Sequence, residues 1–497
     1  MFDIVIENGT LVDGTGADAR PADVGIVGDR ITAIGRLGDA EARDRVDAEG
    51  KIVCPGFVDT HNHADAKPRY GVRVIPHGDN LIRQGITTTI CGHCGGSPYP
   101  VDKTFAETEA LRFHSNFALL VGYGSVKAKA RAGKPTGQPT QDETAAIQKL
   151  LRESMEDGAI GMSTGPIGQP QSVWSTEEFT EASKAVAEFD GVYDSHIRDE
   201  GEWGKHIEAI EEVVTIARES GVSAQISHIK LWGLKAWGDG EKVMEILDRA
   251  NRDGHRVNCD QYPYQGGYRG VSGLLFALQK DYTREQLFGE NKAAAIEEII
   301  YQFHQLDGSQ NVILCPYDGD PELNGKTIKQ VAEARGQAEE ECAWELCKRG
   351  NLSACWLAMR EEEVRAFMQC PHIMVGTDGH LREPGDGHCH PRNYGTYPRI
   401  LGHYVRDEKV LALPQAIHKM TQQPAEKYGI KERGVLREGS FADLVVFDPD
   451  AVIDTATWSD PHQYPLGIDH VLVNGKSAVC HGETTDARPG RVLRHGG

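Results

Sequence analysis

Residue types that bind metal ions recur in this sequence at the points where short apolar runs end. They stand at five such points and comprise four histidines, one cysteine and one aspartate: His61, His63, Cys94, His196, His228 and Asp378. Zinc favours imidazole, thiolate and carboxylate ligands, and a catalytic zinc site keeps one position open for water. The set therefore predicts a metal site that could carry out hydrolysis.

Each of these residues also has an ordinary structural interpretation. A lone histidine in a loop is more often a surface residue, a cysteine such as Cys94 or Cys91 is more often buried packing, and Asp378 could cap a helix. The pair His61 and His63 is stronger, because side chains two residues apart on an extended strand face the same side. Glycines surround Cys94, and we expect them to let the backbone approach a bound group closely.

The elements that must position these side chains alternate between strands and amphipathic helices. One helix is predicted to begin at Thr140, with Glu143 three residues later, and another at Ser175, followed by Glu178. Between the helices lie eight predicted strands, at 53–60, 86–92, 117–123, 159–164, 192–196, 223–228, 256–262 and 372–377. Eight strand-helix units predict an α/β fold of the (β/α)8 TIM-barrel type, whose active sites lie at the carboxyl ends of the strands.

Both ends of the chain have a different sequence pattern, in which short apolar runs are separated by turn residues. We predict a small β-sandwich built from residues 1–54 and 416–497, on either side of a catalytic barrel at 55–415. The stretch between Tyr264 and Ile373 is far longer than one crossover requires, so it predicts an inserted subdomain at about 280–368, which could act as a lid.

Charge and composition argue against some classes of binding partner. The 497 residues include 53 basic and 74 acidic side chains, for a formal charge of -21, which disfavours binding to nucleic acid or to anionic membranes. The N-terminus shows no signal peptide and no apolar run is long enough to span a bilayer, so we expect a cytoplasmic protein with a small-molecule substrate. The 11 dispersed cysteines are interpreted as thiols. The oligomeric state is left open.

An ordered set of motifs closely resembles the amidohydrolase superfamily, and within it the D-aminoacylases, or N-acyl-D-amino-acid deacylases. The resemblance covers almost the whole chain. The motifs are Pro-Gly-Phe-Val-Asp-Thr-His-Asn-His at 55–63, Gln-Gly-Ile-Thr-Thr at 84–88, Gly-His-Cys-Gly at 92–95, Ser-His-Ile-Arg-Asp-Glu at 195–200, Ile-Ser-His-Ile-Lys at 226–230, Tyr-Pro-Tyr at 262–264, Gly-Thr-Asp-Gly at 376–379, His-Pro-Arg-Asn-Tyr-Gly-Thr at 390–396 and Gly-Ser-Phe-Ala-Asp-Leu at 439–444.

The resemblance implies how the predicted ligands are distributed between two metal sites. Cys94, His196 and His228 match the tight zinc site of the family, while His61, His63 and Asp378, with Cys94 shared, match a weaker second metal site. It also implies hydrolysis of an N-acyl-D-amino acid. The metal would polarise the amide carbonyl and acidify water, and Asp378 would accept the water proton and pass it to the leaving amine.

The same resemblance implies which residues bind the substrate, although three segments of this chain differ from the family pattern. Lys230, Tyr262 and Arg392 match positions that bind the substrate carboxylate, a role that suits a fork-shaped guanidinium and a point-charge ammonium. Three segments depart from the family pattern: 165–171 lacks a substrate-binding tyrosine, 265–269 reads Gln-Gly-Gly-Tyr-Arg where small hydroxyl residues are usual, and the loop 381–389 is longer. We therefore expect an altered acyl or side-chain pocket.

Two other functions compete with this one. A cyclic-amide hydrolase of the hydantoinase or dihydroorotase type usually bridges two metals with a carboxylated lysine at the fourth strand, and residues 159–165 contain no lysine. The alternative outside the enzymes is a non-catalytic binding protein that has the same fold. The intact set of ligand types argues against it, and zinc content together with amidase activity would distinguish the two.

Overall fold

Eight buried parallel strands form a barrel at the centre of the computed structural model, which describes residues 1–65, 77–133, 137–279, 281–316, 320, 322–350 and 352–496. In chain order, which is also their order in the sheet, they are Phe57–Asp59, Ile86–Cys91, Asn116–Gly122, Gly161–Thr164, Val192–Ser195, Ser223–Ile226, Val257–Gln261 and Ile373–Val375. Because parallel strands are covered on both faces, nearly all of these residues are buried. The predicted (β/α)8 barrel is confirmed.

The barrel closes between its eighth and first strands, beside the predicted metal ligands. The Asp378 amide donates to the His61 carbonyl at 2.8 Å, and the His63 amide donates to the Gly379 carbonyl at 2.8 Å. Below them, the Asp59 carboxylate accepts hydrogen bonds from the backbone amide and the hydroxyl of Thr377. Closure and assembly of the site therefore depend on the same few residues.

The predicted bounds of the first barrel strand are wrong. Residues 53–60 form two strands, Ile52–Pro55 and Phe57–Asp59, separated by Gly56. The first of these pairs antiparallel with Leu444–Phe447 outside the barrel. A Cβ atom on Gly56 would lie 2.1 Å from the Thr87 hydroxyl, so the chain can pass from one sheet to the other there only because the side chain is absent.

Helices cover the outside of the barrel and connect its strands. They span Asp79–Ile82, Val101–Leu111, Tyr123–Ala130, Gln141–Glu156, Thr176–Ala187, His206–Ser220, Gly240–Arg252, Glu361–Gln369, Arg392–Arg399, Leu413–Met420 and Gln422–Lys427, with a π-helical turn at Ile400–Asp407. The predicted caps are confirmed, since the hydroxyls of Thr140 and Ser175 accept hydrogen bonds from the amides of Glu143 and Glu178.

A separate subdomain lies between the seventh and eighth barrel strands. Its sheet is antiparallel and contains the strands Gly266–Gly270, Ser353–Leu357 and Val312–Cys315 in that order. Its helices are Arg284–Leu287, Lys292–Gln305, Ile328–Arg335 and Glu339–Cys347, with 3-10 turns at Val271–Leu278 and Ser309–Asn311. It has its own apolar core, and Trp232 joins that core from the loop after the sixth barrel strand.

Strands from both ends of the chain pair in one sheet. This seven-stranded sheet has the order Glu483–Thr484, Lys476–Cys480, Ile468–Val473, Leu444–Phe447, Ile52–Pro55, Thr10–Leu11 and Arg20–Pro21. A four-stranded sheet has the order Arg30–Gly35, Asp23–Val27, Phe2–Glu7 and Ala42–Asp47. Side chains of both sheets share one apolar cluster. No helix in the described ranges is long and apolar enough to cross a membrane.

Candidate active site

All six predicted ligands lie at the carboxyl ends of barrel strands and face one another. Cys94 is at the centre of the group. Its sulfur lies 3.5 Å from Nδ1 of His196 and 3.9 Å from Nε2 of His228. The same sulfur lies 3.8 Å from Nε2 of His61 and 3.9 Å from Nε2 of His63. One thiol therefore contacts four imidazoles that come from three separate segments of the chain.

Asp378 completes the group from the eighth strand. Its Oδ1 lies 3.3 Å from Nε2 of His63 and 3.7 Å from Nε2 of His61. Its Oδ2 forms an ion pair with Nη1 of Arg392 at 2.7 Å. The structure thus places Asp378 between the imidazoles on one side and the predicted substrate-binding arginine on the other.

The donor set fits a zinc ion. In a tetrahedral zinc site, Zn–S and Zn–N bonds of about 2.3 and 2.0 Å put sulfur and nitrogen roughly 3.5 Å apart. The distances from the Cys94 sulfur to the nitrogens of His196 and His228, 3.5 and 3.9 Å, are close to that value. Two sets of three donors, His61 with Cys94 and His228, and His61 with His63 and Asp378, each lie within 4.8 Å of one another.

The protonation states suit metal binding. Burial holds the pKa of His61 well below its usual value and lowers that of His196 to about 3, so both rings are neutral and keep a lone pair. Burial raises the pKa of the Cys94 thiol well above its usual value. A thiolate at this position therefore needs a cation beside it, and metal binding would release the thiol proton.

Three residues of the site have backbone angles in the left-handed region, which residues other than glycine rarely adopt. Cys94 has φ 58°, His228 has φ 35° and Asp378 has φ 47°. Each lies two or three residues after the end of a barrel strand. Backbone strain of this kind persists only where the surrounding structure enforces it, and it is concentrated at functional sites.

The three predicted carboxylate-binding residues lie together at one side of this cluster. The guanidinium carbon of Arg392 is 4.6 Å from the centre of the Tyr262 ring, and Nζ of Lys230 is 5.9 Å from it. The Tyr262 hydroxyl is buried without a hydrogen-bond partner among the described residues. Lys230, Tyr262 and Asp378 line a cavity of about 340 Å³ that opens above the cluster.

Comparison with known proteins agrees with this geometry. The sequence profile of the amidohydrolase family matches residues 52–478, which is most of the chain. This chain belongs to the amidohydrolase family. The N-acyl-D-glutamate deacylase of Alcaligenes xylosoxydans xylosoxydans is 36% identical, with 99% of this chain and 96% of that protein aligned. The D-aminoacylase of the same organism is 35% identical, with 99% and 97% aligned.

A solved structure shows the same likeness in three dimensions. The N-acyl-D-glutamate deacylase from Bordetella bronchiseptica, crystallised with zinc and a phosphonate inhibitor that mimics the tetrahedral intermediate, is 34% identical and matches with a TM-score of 0.83. The match covers 99% of both chains. Within the amidohydrolases, the chain is a member of the D-aminoacylase family.

Glu200, which the sequence analysis did not single out, lies beside two of the predicted ligands. Its Oε1 lies 3.0 Å from Nδ1 of His228 and 3.8 Å from Nε2 of His196, and it accepts a hydrogen bond from Lys230 at 2.5 Å. Although burial acts to raise its pKa, the Lys230 ammonium holds the pKa of Glu200 well below the usual value. A carboxylate on the outer nitrogen of a ligand histidine fixes the orientation of the ring.

His93 also contacts residues of the site. Its Nδ1 lies 3.1 Å from Oδ1 of Asp194 and its Nε2 lies 3.1 Å from the Ile90 carbonyl, so both ring nitrogens face acceptors. Burial opposes charging of the ring, yet Asp194 raises the pKa of His93 to about 9. The ring stacks on His61 with centroids 3.9 Å apart. Neighbouring Cys91 is buried in the apolar core.

The glycines around Cys94 allow close approaches between backbone segments at the ends of the barrel strands. A Cβ atom on Gly92 would lie 2.0 Å from the Leu120 carbonyl oxygen, and one on Gly95 would lie 2.8 Å from the Gly165 backbone nitrogen. Both contacts are with backbone atoms in or directly after another barrel strand. The glycines let the second, third and fourth strands converge, and that convergence brings Cys94 over the barrel.

Proposed function

We propose that this protein hydrolyses the amide bond of N-acyl-D-amino acids and releases a carboxylate and a free D-amino acid. The observation that carries the proposal is the position of Cys94, which lies within 4 Å of four imidazole nitrogens beside Asp378. The relatives that the chain matches over 99% of its length are deacylases of N-acyl-D-amino acids.

We assign a tightly bound zinc ion to Cys94, His196 and His228, and a weaker second metal to His61, His63 and Asp378, with Cys94 shared. When bound, zinc would polarise the amide carbonyl and lower the pKa of water. The short sulfur–nitrogen distances and the neutral imidazoles support this assignment. Glu200, whose Oε1 lies 3.0 Å from Nδ1 of His228, would hold that ring in place.

Asp378 is the proposed proton carrier. Burial alone would raise its pKa, but Arg392 and the imidazole of His228 hold that pKa well below the usual value, so the group is ionised and can accept a proton. Its Oδ1 faces His61 and His63, on the side where water would attack the amide. The proton accepted from water would then be donated to the nitrogen of the leaving amine.

Lys230, Tyr262 and Arg392 are the proposed binding site for the substrate carboxylate. The Tyr262 hydroxyl is buried and lacks a partner among the described residues, and such a group is satisfied when a ligand accepts its hydrogen bond. The two cations beside it, Lys230 and Arg392, would balance the charge of a carboxylate. Burial opposes charging of Lys230, but Glu200 raises its pKa, so its ammonium stays charged.

The test is a screen of N-acetyl D- and L-amino acids as matched pairs, with zinc measured on the same sample. We expect about one firmly bound zinc per chain, and hydrolysis of the D-forms at least roughly tenfold faster than the L-forms. Removal of the metal with a chelator should abolish turnover and added zinc should restore it. A preparation with less than about a tenth of an equivalent of zinc and no amidase activity would refute the proposal.

A further inference from the structure

The loop that carries Cys94 has an unfavourable backbone conformation. Three of the four residues at 92–95 have positive φ angles, which are 85° at Gly92, 58° at Cys94 and 76° at Gly95. A non-glycine residue keeps such a conformation only where neighbouring groups enforce it. Glycine at two of the positions permits the conformation but does not select it, because glycine adopts many others equally well. Contacts from outside the loop must therefore determine where the Cys94 sulfur points.

Ser163, on the fourth barrel strand, makes two such contacts. Its hydroxyl donates a hydrogen bond to the Gly92 carbonyl at 2.5 Å and accepts one from the Gly95 amide at 3.1 Å. These two backbone groups are three residues apart, which is the separation that a β-turn joins directly. Here the Ser163 hydroxyl bridges them, with one contact on each side of Cys94. The bridge therefore fixes the width of the turn on which the thiol stands.

The bridge requires a side chain that both donates and accepts. A serine hydroxyl has one hydrogen to donate and lone pairs to accept, whereas an alanine methyl has neither. Ser163 is 0% exposed, and Gly92 and Gly95 are buried as well. Without the hydroxyl, a buried carbonyl and a buried amide would lose their partner, which is strongly unfavourable. The loop would relieve this by changing its conformation, and the Cys94 sulfur would move with it.

Other contacts place the loop as a whole on the ends of the third and fourth strands. A Cβ atom on Gly122, the last residue of the third strand, would lie 2.6 Å from the Ser97 backbone nitrogen. One on Gly165, directly after the fourth strand, would lie 2.4 Å from the Cys94 carbonyl oxygen. These are backbone contacts beneath the loop. The Ser163 side chain instead acts on the two groups that flank Cys94, and so on its orientation.

We propose that Ser163 is a positioning residue that holds the Cys94 thiol in its metal-binding orientation before a metal ion binds. The inference rests on the proposed function, which makes Cys94 a zinc ligand. Because the bridge consists of protein groups alone, it does not depend on the metal. Groups that orient a metal ligand contribute roughly 10- to 100-fold to metal affinity. The fourth strand thus contributes to the metal site through the Cys94 loop.

The first test measures zinc affinity by competition with a chelator. Ser163→Ala should bind zinc roughly 10- to 100-fold more weakly than the wild type. Ser163→Thr keeps the hydroxyl and should keep most of the affinity. Cobalt-substituted protein gives a second readout, because the thiolate-to-cobalt charge-transfer band reports on the bond to Cys94 itself. That band should weaken in Ser163→Ala and persist in Ser163→Thr.

Thr164→Val is the matched control. Thr164 is the next residue of the same strand and is equally buried, and its hydroxyl lies 3.0 Å from that of Tyr193 and 3.1 Å from that of Ser195 on the fifth strand. The variant removes one buried hydroxyl and leaves the Ser163 bridge intact, so its zinc affinity and its cobalt band should match the wild type. If Ser163→Ala keeps the wild-type affinity, or if Thr164→Val loses as much, the role of Ser163 is refuted.

A measurement on the wild type decides the matter even if a variant does not fold. Amide hydrogen exchange at residues 92–96 should be slow in the metal-free protein, because the Gly95 amide is bonded to Ser163 whether or not zinc is present. Fast exchange there, with protection only after zinc is added, would overturn the proposal.

None of these readouts needs a substrate, so the two proposals fail separately. If Ser163→Ala loses zinc affinity as expected but the zinc-loaded wild type hydrolyses no N-acetyl-D-amino acid, the proposed function fails and the role of Ser163 stands. If Ser163→Ala binds zinc normally and the wild type is an active deacylase, the role of Ser163 fails and the proposed function stands.

Discussion

Cys94 and Cys315 each have their sulfur 3.5 Å from a nitrogen or sulfur atom of another side chain, but the surroundings of the two thiols differ. At the barrel mouth the neighbour of Cys94 is the Nδ1 atom of His196. In the inserted subdomain the sulfur of Cys315 lies 3.5 Å from that of Cys355, on adjacent antiparallel strands. The second pair is buried in a small apolar cluster with Ile313.

The comparison shows that the neighbours of a thiol, and not its burial, decide its chemistry. Burial raises the pKa of Cys94 and that of Cys355 alike. Around Cys94, the neutral imidazoles of His61 and His196 supply lone pairs that a cation requires. Around Cys355, the aliphatic side chain of Ile313 supplies none. A thiol in the first setting is suited to be a metal ligand, and one in the second is suited to be packing.

Cys94→Ala should have the largest effect, because this sulfur lies within 4 Å of all four imidazoles. We expect the variant to lose its metal and to lose at least about 1,000-fold in kcat, since metal assistance is worth several kcal/mol and each 1.36 kcal/mol is tenfold. Zinc content and turnover measure this. A variant that retains full zinc would show that Cys94 is no different from the packing cysteines.

Asp378→Ala should separate proton transfer from metal binding. We expect kcat to fall about 100- to 10,000-fold while zinc at Cys94, His196 and His228 is retained, because Asp378 forms its ion pairs with His61, His63 and Arg392 instead. Zinc analysis of the variant beside the wild type provides the check. Loss of zinc together with activity would place Asp378 among the essential ligands instead.

Glu200→Gln tests the carboxylate behind the ligand rings. The variant keeps the size of the side chain but weakens its interaction with the His196 and His228 imidazoles, so we expect a loss of roughly 10- to 100-fold in zinc affinity. Competition with a chelator measures that affinity. Glu211→Gln, on an outer helix where Glu211 pairs with Arg249, is the control and should bind zinc normally. Unchanged affinity in Glu200→Gln would contradict the orienting role.

Cys315→Ala should have the smallest effect. The substitution removes one buried sulfur from the apolar cluster, which is worth about 1 kcal/mol, and should lower the thermal midpoint by no more than about 4 °C. Zinc content and kcat should match those of the wild type. A marked loss of zinc would mean that the two thiol settings are coupled, and the contrast between them would fail.

Most of the fold could be predicted from the sequence, because the signals that specify it are local. Seven of the eight barrel strands lie where the alternation of apolar runs and capped helices placed them, and the hydroxyl of Thr140 caps its helix as predicted. The exception, at Gly56, has a physical cause. The apolar run continues across the glycine, and only the contact with Thr87 shows that the chain changes sheet there.

The sequence by itself determined which residue types stand at the ends of the strands, since each ligand follows a strand within a few residues. It could not determine which ring nitrogen faces the centre: His196 presents Nδ1 and His228 presents Nε2. Nor could it find the stacking of Arg269 on Trp356, which is 87 residues away in the chain. Only the tertiary structure decided these features, because they arise from contacts between segments that no local pattern connects.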